Sequence, residues 1–219
     1  MLSQENLIRF SGKGTRYRKP DLQGLVFPFN ISKQLKIYGG TLPMKLLKVF
    51  ALMALMVWQT SAMALDLKSK DIAPGSKIKN DFVYKGMDCT GDNKSPELHW
   101  TGAPKGTKGF AVTLYDPDAP TGSGFWHWVV INIPASTTSL AQSWSSTGSG
   151  ATEITSDFGA TTYGGPCPPP GKPHRYIFTV HALKTDKIDL PAGATNAFAR
   201  FMIEGATISK ASLKAQYGR

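Results

Sequence analysis

From residue 110 to residue 182 the dominant rhythm of the chain is two. The runs 110–116 (Phe-Ala-Val-Thr-Leu-Tyr-Asp), 126–133 (Trp-His-Trp-Val-Val-Ile-Asn-Ile) and 175–182 (Arg-Tyr-Ile-Phe-Thr-Val-His-Ala) are rich in β-branched and aromatic residues. Pro or Gly clusters bound each of them, which predicts three strands. Weaker strands are expected at 82–85 and 97–100, and the Ser/Thr/Gly-rich stretch 136–150 reads as a loop. After Pro191 the period changes. Residues 196–203 and 207–217 space their apolar positions at helical intervals, with Gly205 between them and Gly218 beyond as stops, so the tail predicts two helices. The pattern as a whole is mainly β (α+β), a sheet domain closed by C-terminal helices.

Residues 44–64 follow a different logic. Lys45 and Lys48 follow Met44, the run 49–57 (Val-Phe-Ala-Leu-Met-Ala-Leu-Met-Val) carries no charge, and 61–64 (Ser-Ala-Met-Ala) places small residues where a signal peptidase reads. A signal peptide over 44–64 is therefore expected, cut between Ala64 and Leu65. Its apolar stretch is shorter than the roughly 20 residues of a spanning helix, so no stable membrane span is expected after cleavage. Residues 1–43 scatter Arg9, Lys13, Arg16, Arg18 and Lys19 among Gly and Pro without periodicity. They fit either an over-extended reading frame ahead of a true initiator at Met44 or a disordered basic arm. Residues 65–219 then form one exported domain, periplasmic or secreted.

Charge changes the choice of partners. Residues 1–64 hold nine Lys/Arg against two Asp/Glu, and residues 65–219 hold sixteen against thirteen, so of the chain's +10 the exported part keeps only +3. That removes the general electrostatic case for a nucleic-acid partner. The 155 residues after Ala64 are enough to bury one core without metal staples. Cys89 and Cys167 both lie in the exported part, where an oxidising compartment permits them to pair. A loop of about 80 residues closed this way would stabilise the fold by about 4 kcal/mol; two unpaired thiols are the alternative.

Candidate chemistry gathers at strand ends. Period-2 geometry puts Phe110, Val112, Leu114 and Asp116 on one face, and Asp-Pro-Asp-Ala-Pro (116–120) follows directly. A carboxylate ending an apolar row is either a turn-former or a polar group aimed into a cavity. His127 alternates with Trp126 and Trp128, so it is expected to share a face with Val129 and Ile131 and to be partly buried. The Gly/Pro-rich stretch 163–173 delivers His174, Arg175 and Tyr176 into the third strand. Gly-x-Ser-x-Gly is absent, and His99, His127, His174 and His181 have no metal-ligand spacing, so no enzyme, metal or cofactor is expected. Asp116 and Asp118 lack the facing geometry of a glycosidase pair, and His99 and His181 read as structural.

Taken in order, Asp-Pro-Asp-Ala-Pro (116–120), His-Trp-Val-Val-Ile-Asn-Ile-Pro (127–134) and Gly-Gly-Pro-Cys-Pro-Pro-Pro-Gly-Lys-Pro-His-Arg-Tyr (164–176) resemble the phosphatidylethanolamine-binding protein family. Asn-Lys-Ser-Pro-Glu-Leu-His-Trp (93–100) is similar to an element of its bacterial, Raf-kinase-inhibitor-like branch. The resemblance runs from about Leu67 to Arg219. It implies a two-sheet β fold with flanking helices and a small pocket for an anion such as phosphate, acetate or a phosphoryl headgroup. Asp116 would point into that pocket and Asp118 shape the loop beside the ligand. His127 would be the pocket histidine, His174 would stand near the mouth, and Tyr176 would offer its hydroxyl; Arg175 faces the other way as a structural residue. An anion-binding module is the leading reading. Inhibition of a secreted serine protease or other signalling enzyme, through a protein target, comes second, and weak hydrolysis third. A carboxylate beside an anion must be protonated, hold His127 as imidazolium, or meet an attached ammonium. The second is the expectation here, and with it anion affinity falls as pH rises through the His127 titration.

Overall fold

The run Gly109–Asp116 is buried along nearly its whole length, and a strand hidden on both faces needs a layer on each. The computed structural model describes residues 64–219 and contains both layers. The segments 1–43 and 44–63 lie outside the described residues. In chain order the strands are β1 (Asp66–Lys68), β2 (Lys85–Gly86), β3 (Cys89–Thr90), β4 (Leu98–Thr101), β5 (Gly109–Asp116), β6 (Phe125–Pro134), β7 (Ser139–Leu140), β8 (Thr152–Ile154) and β9 (His174–Leu183), followed by helix α1 (Asn196–Ala206) and β10 (Thr207–Tyr217). A five-stranded sheet has the order β10-β9-β5-β6-β8, a smaller sheet the order β1-β4-β7, and β2 and β3 form a hairpin. All these pairings are antiparallel.

One core fills the space between the two sheets. Leu67, Leu98, Trp100 and Leu140 from the small sheet meet Phe110, Val112, Leu114, Phe178 and Val180 from the large one, with Trp100 and Phe110 ring centroids 5.3 Å apart. On the other face Ala111, Val129, Ile131 and Leu183 pack beneath Ile203 and Ala206 of α1. The mainly β architecture and the three strong strands agree with the sequence reading to within a residue at each end. Cys89 and Cys167 are joined, with Cα atoms 6.0 Å apart and a sequence separation of 78, which ties β3 to the Gly/Pro loop ahead of β9.

The tail departs from expectation. Only 196–206 is helical, with the Thr195 side chain accepting from Phe198 N at its start and Gly205 inside its last turn. Residues 207–217 are not a second helix: they form β10, whose positions alternate between inward and exposed along the whole strand. Ala, Leu and Lys favour helices in isolation, but ten residues of β10 pair with β9, and that non-local ladder overrides the local preference. Residues 82–85 are not a strand either. A 3₁₀ turn covers Asn80–Phe82, and pairing begins only at Lys85. Within 136–150 only Ser139–Leu140 pairs.

His181 on β9 is fully buried. Its Nδ1 lies 3.2 Å from Thr207 Oγ1, which itself donates to the Ile203 carbonyl, so Nδ1 carries the ring proton and Nε2 is left without a partner. Burial pushes its pKa down to about 4, against the opposing pull of Glu204. In the unfolded chain the ring titrates near 6.5. Between those values the unfolded state binds a proton that the folded state refuses, so stability falls as pH drops from about 6.5 to about 4, by up to about 3 kcal/mol. Urea denaturation at pH 7 and pH 4.5 should show His181→Gln losing less stability on acidification than the native chain; an equal loss would contradict the assignment.

Candidate functional site

Three adjacent strands of the large sheet bring polar side chains together at one of its ends. β5 finishes with Asp116, β9 begins with His174 and Tyr176, and β6 brings His127. They surround a cavity of about 170 Å³ whose remaining lining includes Met87, Phe125, Phe158, Pro168 and Pro169.

His127 arrives there through an irregularity that periodicity does not show. Leu114 lies opposite Trp128 and Tyr115 opposite Trp126, so His127 is the extra residue of a β-bulge, a device that re-aims side chains beside functional sites. The imidazole therefore leaves the Val129/Ile131 row predicted for it and faces the ring of Tyr176, centroids 5.2 Å apart. Its Nδ1 lies 2.9 Å from the Gly164 carbonyl and 3.1 Å from that of Gly165. Carbonyls only accept, so Nδ1 donates and Nε2 is the nitrogen left for a ligand. Burial lowers the His127 pKa to about 4, with the Gly164 carbonyl and the Asp116 charge opposing it, so near neutral pH the free ring presents a lone pair.

Asp116 is buried and engaged on both oxygens. Oδ2 stands 2.7 Å from His174 Nδ1, and Oδ1 accepts from Asp118 N at 2.8 Å. Its direct partner is thus His174, which corrects the expectation that Asp116 holds His127 as imidazolium. Tyr176 is fully buried, and its hydroxyl makes no full hydrogen bond among the described residues, with the Asp116 carboxylate close enough to act on it. Burial first, then the Asp116 charge, raises the phenol's pKa well above the ordinary range, so it remains a donor. Asp118 does not line the cavity. It faces outward and grips Arg175, accepting from Nε at 2.8 Å, Nη2 at 2.7 Å and the backbone N at 2.8 Å. This guanidinium holds the Asp118 carboxyl far below the usual carboxylate range. Asp118 thereby ties the Asp-Pro-Asp turn to the start of β9, and of that turn's two carboxylates it is Asp116 that lines the cavity.

Sequence reasoning missed Phe158, whose ring lies 5.2 Å from that of His127 and 4.8 Å from Phe125. Nothing in the polar stretch around it marks it. The role of Asn93 was also hidden. Its amide donates to the Tyr163 carbonyl at 3.0 Å, and its Oδ1 accepts from Gly165 N at 2.8 Å, which pins the Gly-Gly segment whose carbonyls hold His127. Gly165 has no room for a side chain: a Cβ there would stand 2.1 Å from the Phe82 carbonyl oxygen and 2.6 Å from Tyr84 N. Gly165→Ala must move backbone, and is expected to cost about 2 kcal/mol and to release His127 Nδ1 from its carbonyls. Thermal unfolding together with imidazole proton shifts by NMR checks this, and an unshifted His127 signal would contradict it.

With this geometry in place, known proteins can be compared with the chain. A family model described as phosphatidylethanolamine-binding protein matches residues 68–218. The UPF0098 protein YbhB of Escherichia coli is 46% identical over 157 residues, covering 70% of this chain and 99% of YbhB. The UPF0098 protein YbcL of the same organism is 42% identical over 180 residues, covering 80% of this chain and 98% of YbcL. The crystal structure of YbcL superposes with a TM-score of 0.68 at 43% identity, over 71% of this chain and 98% of that one. A homologue from Chlamydia trachomatis gives 0.62 at 26% identity, over 72% of this chain and 99% of that one. On the matched model and these relatives together, the chain belongs to the phosphatidylethanolamine-binding protein family.

Proposed function

We propose that this protein binds a small anion or the phosphoryl headgroup of a larger ligand in the cavity between Asp116, His127, His174 and Tyr176, and acts as a binding protein rather than an enzyme. The observation that carries this reading is the buried Tyr176 hydroxyl at the cavity wall, which makes no full hydrogen bond among the described residues and has only the Asp116 carboxylate close by. A buried unpaired donor is costly, and an oxygen of a bound anion would satisfy it. His127 Nε2 is the second open position. As a lone pair it requires a proton from the ligand or from solvent, so either a singly protonated phosphoryl group binds or the ring takes up a proton as the anion enters. No lysine or arginine is among the lining residues, which suits a monoanion held by dipolar donors in a partly dry site. Asp116 orients His174 beside it.

Anion affinity is therefore expected to fall as pH rises, by at most about tenfold per pH unit while one proton is taken up per anion bound. Titration calorimetry with inorganic phosphate from pH 5 to 8, in buffers of different ionisation enthalpy, reads both the affinity and the proton. His127→Phe and Tyr176→Phe should each weaken binding at least tenfold, whereas Asp118→Ala should leave it within about threefold, since its exposed ion pair is a surface interaction. pH-independent binding, or binding untouched by the first two substitutions, would sink the reading.

Export belongs to the same proposal. It rests on the pattern of residues 44–64, two lysines followed by an uncharged apolar run and a Ser-Ala-Met-Ala end. N-terminal sequencing of protein recovered outside the cytoplasm should begin at Leu65; a start upstream of Met44 would contradict it.

A further inference from the structure

Two chain segments make the wall of the cavity on the side of the disulfide. One is the turn between β2 and β3, where Met87 stands 67% exposed at the rim; the other is the stretch Cys167, Pro168 and Pro169. The Cys89–Cys167 bond joins them. A third group bridges the same two segments. Arg219 donates from Nε to the Pro168 carbonyl at 2.8 Å and from Nη1 to the Asp88 carbonyl at 3.1 Å, while Gly171 N donates to the Arg219 carbonyl at 3.0 Å. One guanidinium thus contacts the residue after Cys167 and the residue before Cys89.

That turn needs holding. Met87 and Asp88 have φ of 51° and 62°, a left-handed pair that two-residue hairpins ordinarily fill with Asn or Gly. Residues kept in such a conformation persist only where their surroundings over-determine it. The other end of the bridge is equally fixed. Tyr217 lies opposite His174 in the β9–β10 ladder, and a Cβ on Gly218 would come within 2.8 Å of Pro173. The end of β10 and the start of β9 therefore move together, and the start of β9 carries His174 and Tyr176.

We propose that Arg219 is a positioning residue of the cavity: its fork sets the distance between the Met87–Pro168 rim and the His174–Tyr176 floor, and works in parallel with the disulfide. The planar guanidinium can serve two carbonyls at once, which a lysine ammonium does less well. The inference rests on the anion-binding reading for its effect on affinity, but the latch has a readout of its own. Cys167 lines the cavity, so loosening the rim exposes the disulfide to reductant.

The test compares the full chain with Arg219→Ala and Arg219→Lys, measuring inorganic phosphate affinity, the rate of disulfide reduction by dithiothreitol and the melting temperature. Arg219→Ala is expected to weaken phosphate binding about tenfold, the loss of a charge-assisted bond, and to speed reduction severalfold with little change in melting temperature. Arg219→Lys should recover part of both. Reduction rates equal to the native chain in both variants would overturn the proposal, as would an affinity loss that merely tracks melting temperature. If the native chain binds no phosphate, the anion reading falls, and the reduction rates alone decide the latch: faster in Arg219→Ala upholds it, unchanged overturns it.

Discussion

The bond from His127 Nδ1 to the carbonyls of Gly164 and Gly165 sets both the chemistry and the shape of the cavity. It fixes the ring's tautomer, and so decides which nitrogen stays clear of the carbonyls. It also docks the loop carrying Cys167 and the proline run against β6, since those carbonyls belong to the loop's first residues. Asn93 secures the same loop from the opposite side, and Phe158 packs against the imidazole edge. The geometry requires Gly165 to lack a side chain, so the Gly-Gly pair is a packing requirement as much as a turn.

The position of the cavity follows from the layers. A central sheet covered by a second sheet on one face and by α1 on the other keeps few polar groups in its middle, Thr113, Thr179 and His181 among them, because each is costly without a partner. The cavity's polar groups gather where β5 ends and β9 begins. The bulge at His127 completes the set by turning one residue of β6 toward them. Electrostatically the result is economical in fixed charge. Arg175 sits one residue from both His174 and Tyr176, yet Asp118 holds it outside, so the titratable lining of the cavity is imidazole, phenol and one carboxylate rather than guanidinium. Acidification acts on this arrangement by protonating an imidazole that burial keeps neutral.

Much of this was legible along the chain. Strands β5, β6 and β9 combine β-branched and aromatic runs with Gly/Pro boundaries, so local propensity and tertiary demand agree. Asp116, His127, His174 and Tyr176 were all found as strand-end polar residues, and the structure brings them to one cavity. Where expectation and structure part, the cause is non-local. Ala, Leu and Lys suit a helix locally, and 207–217 is a strand because ten of its residues pair with β9 across the intervening helix. That Asp116 lines the cavity and Asp118 does not depends on the turn's geometry, which is not visible in Asp-Pro-Asp.

The sequence by itself determined the mainly β class, the strand ends that carry the chemistry and the family to which the chain belongs, because those depend on short-range pattern and on motifs within single segments. Only the tertiary structure decided which face His127 takes, that Asp116 serves His174, that Phe158 walls the cavity, and that Arg219 reaches Asp88 across 131 residues of chain. Each of those is a contact between segments whose separation in sequence carries no trace of their proximity. A bulge, a turn or a strand register sets it, through backbone pairing that side-chain identity alone does not specify.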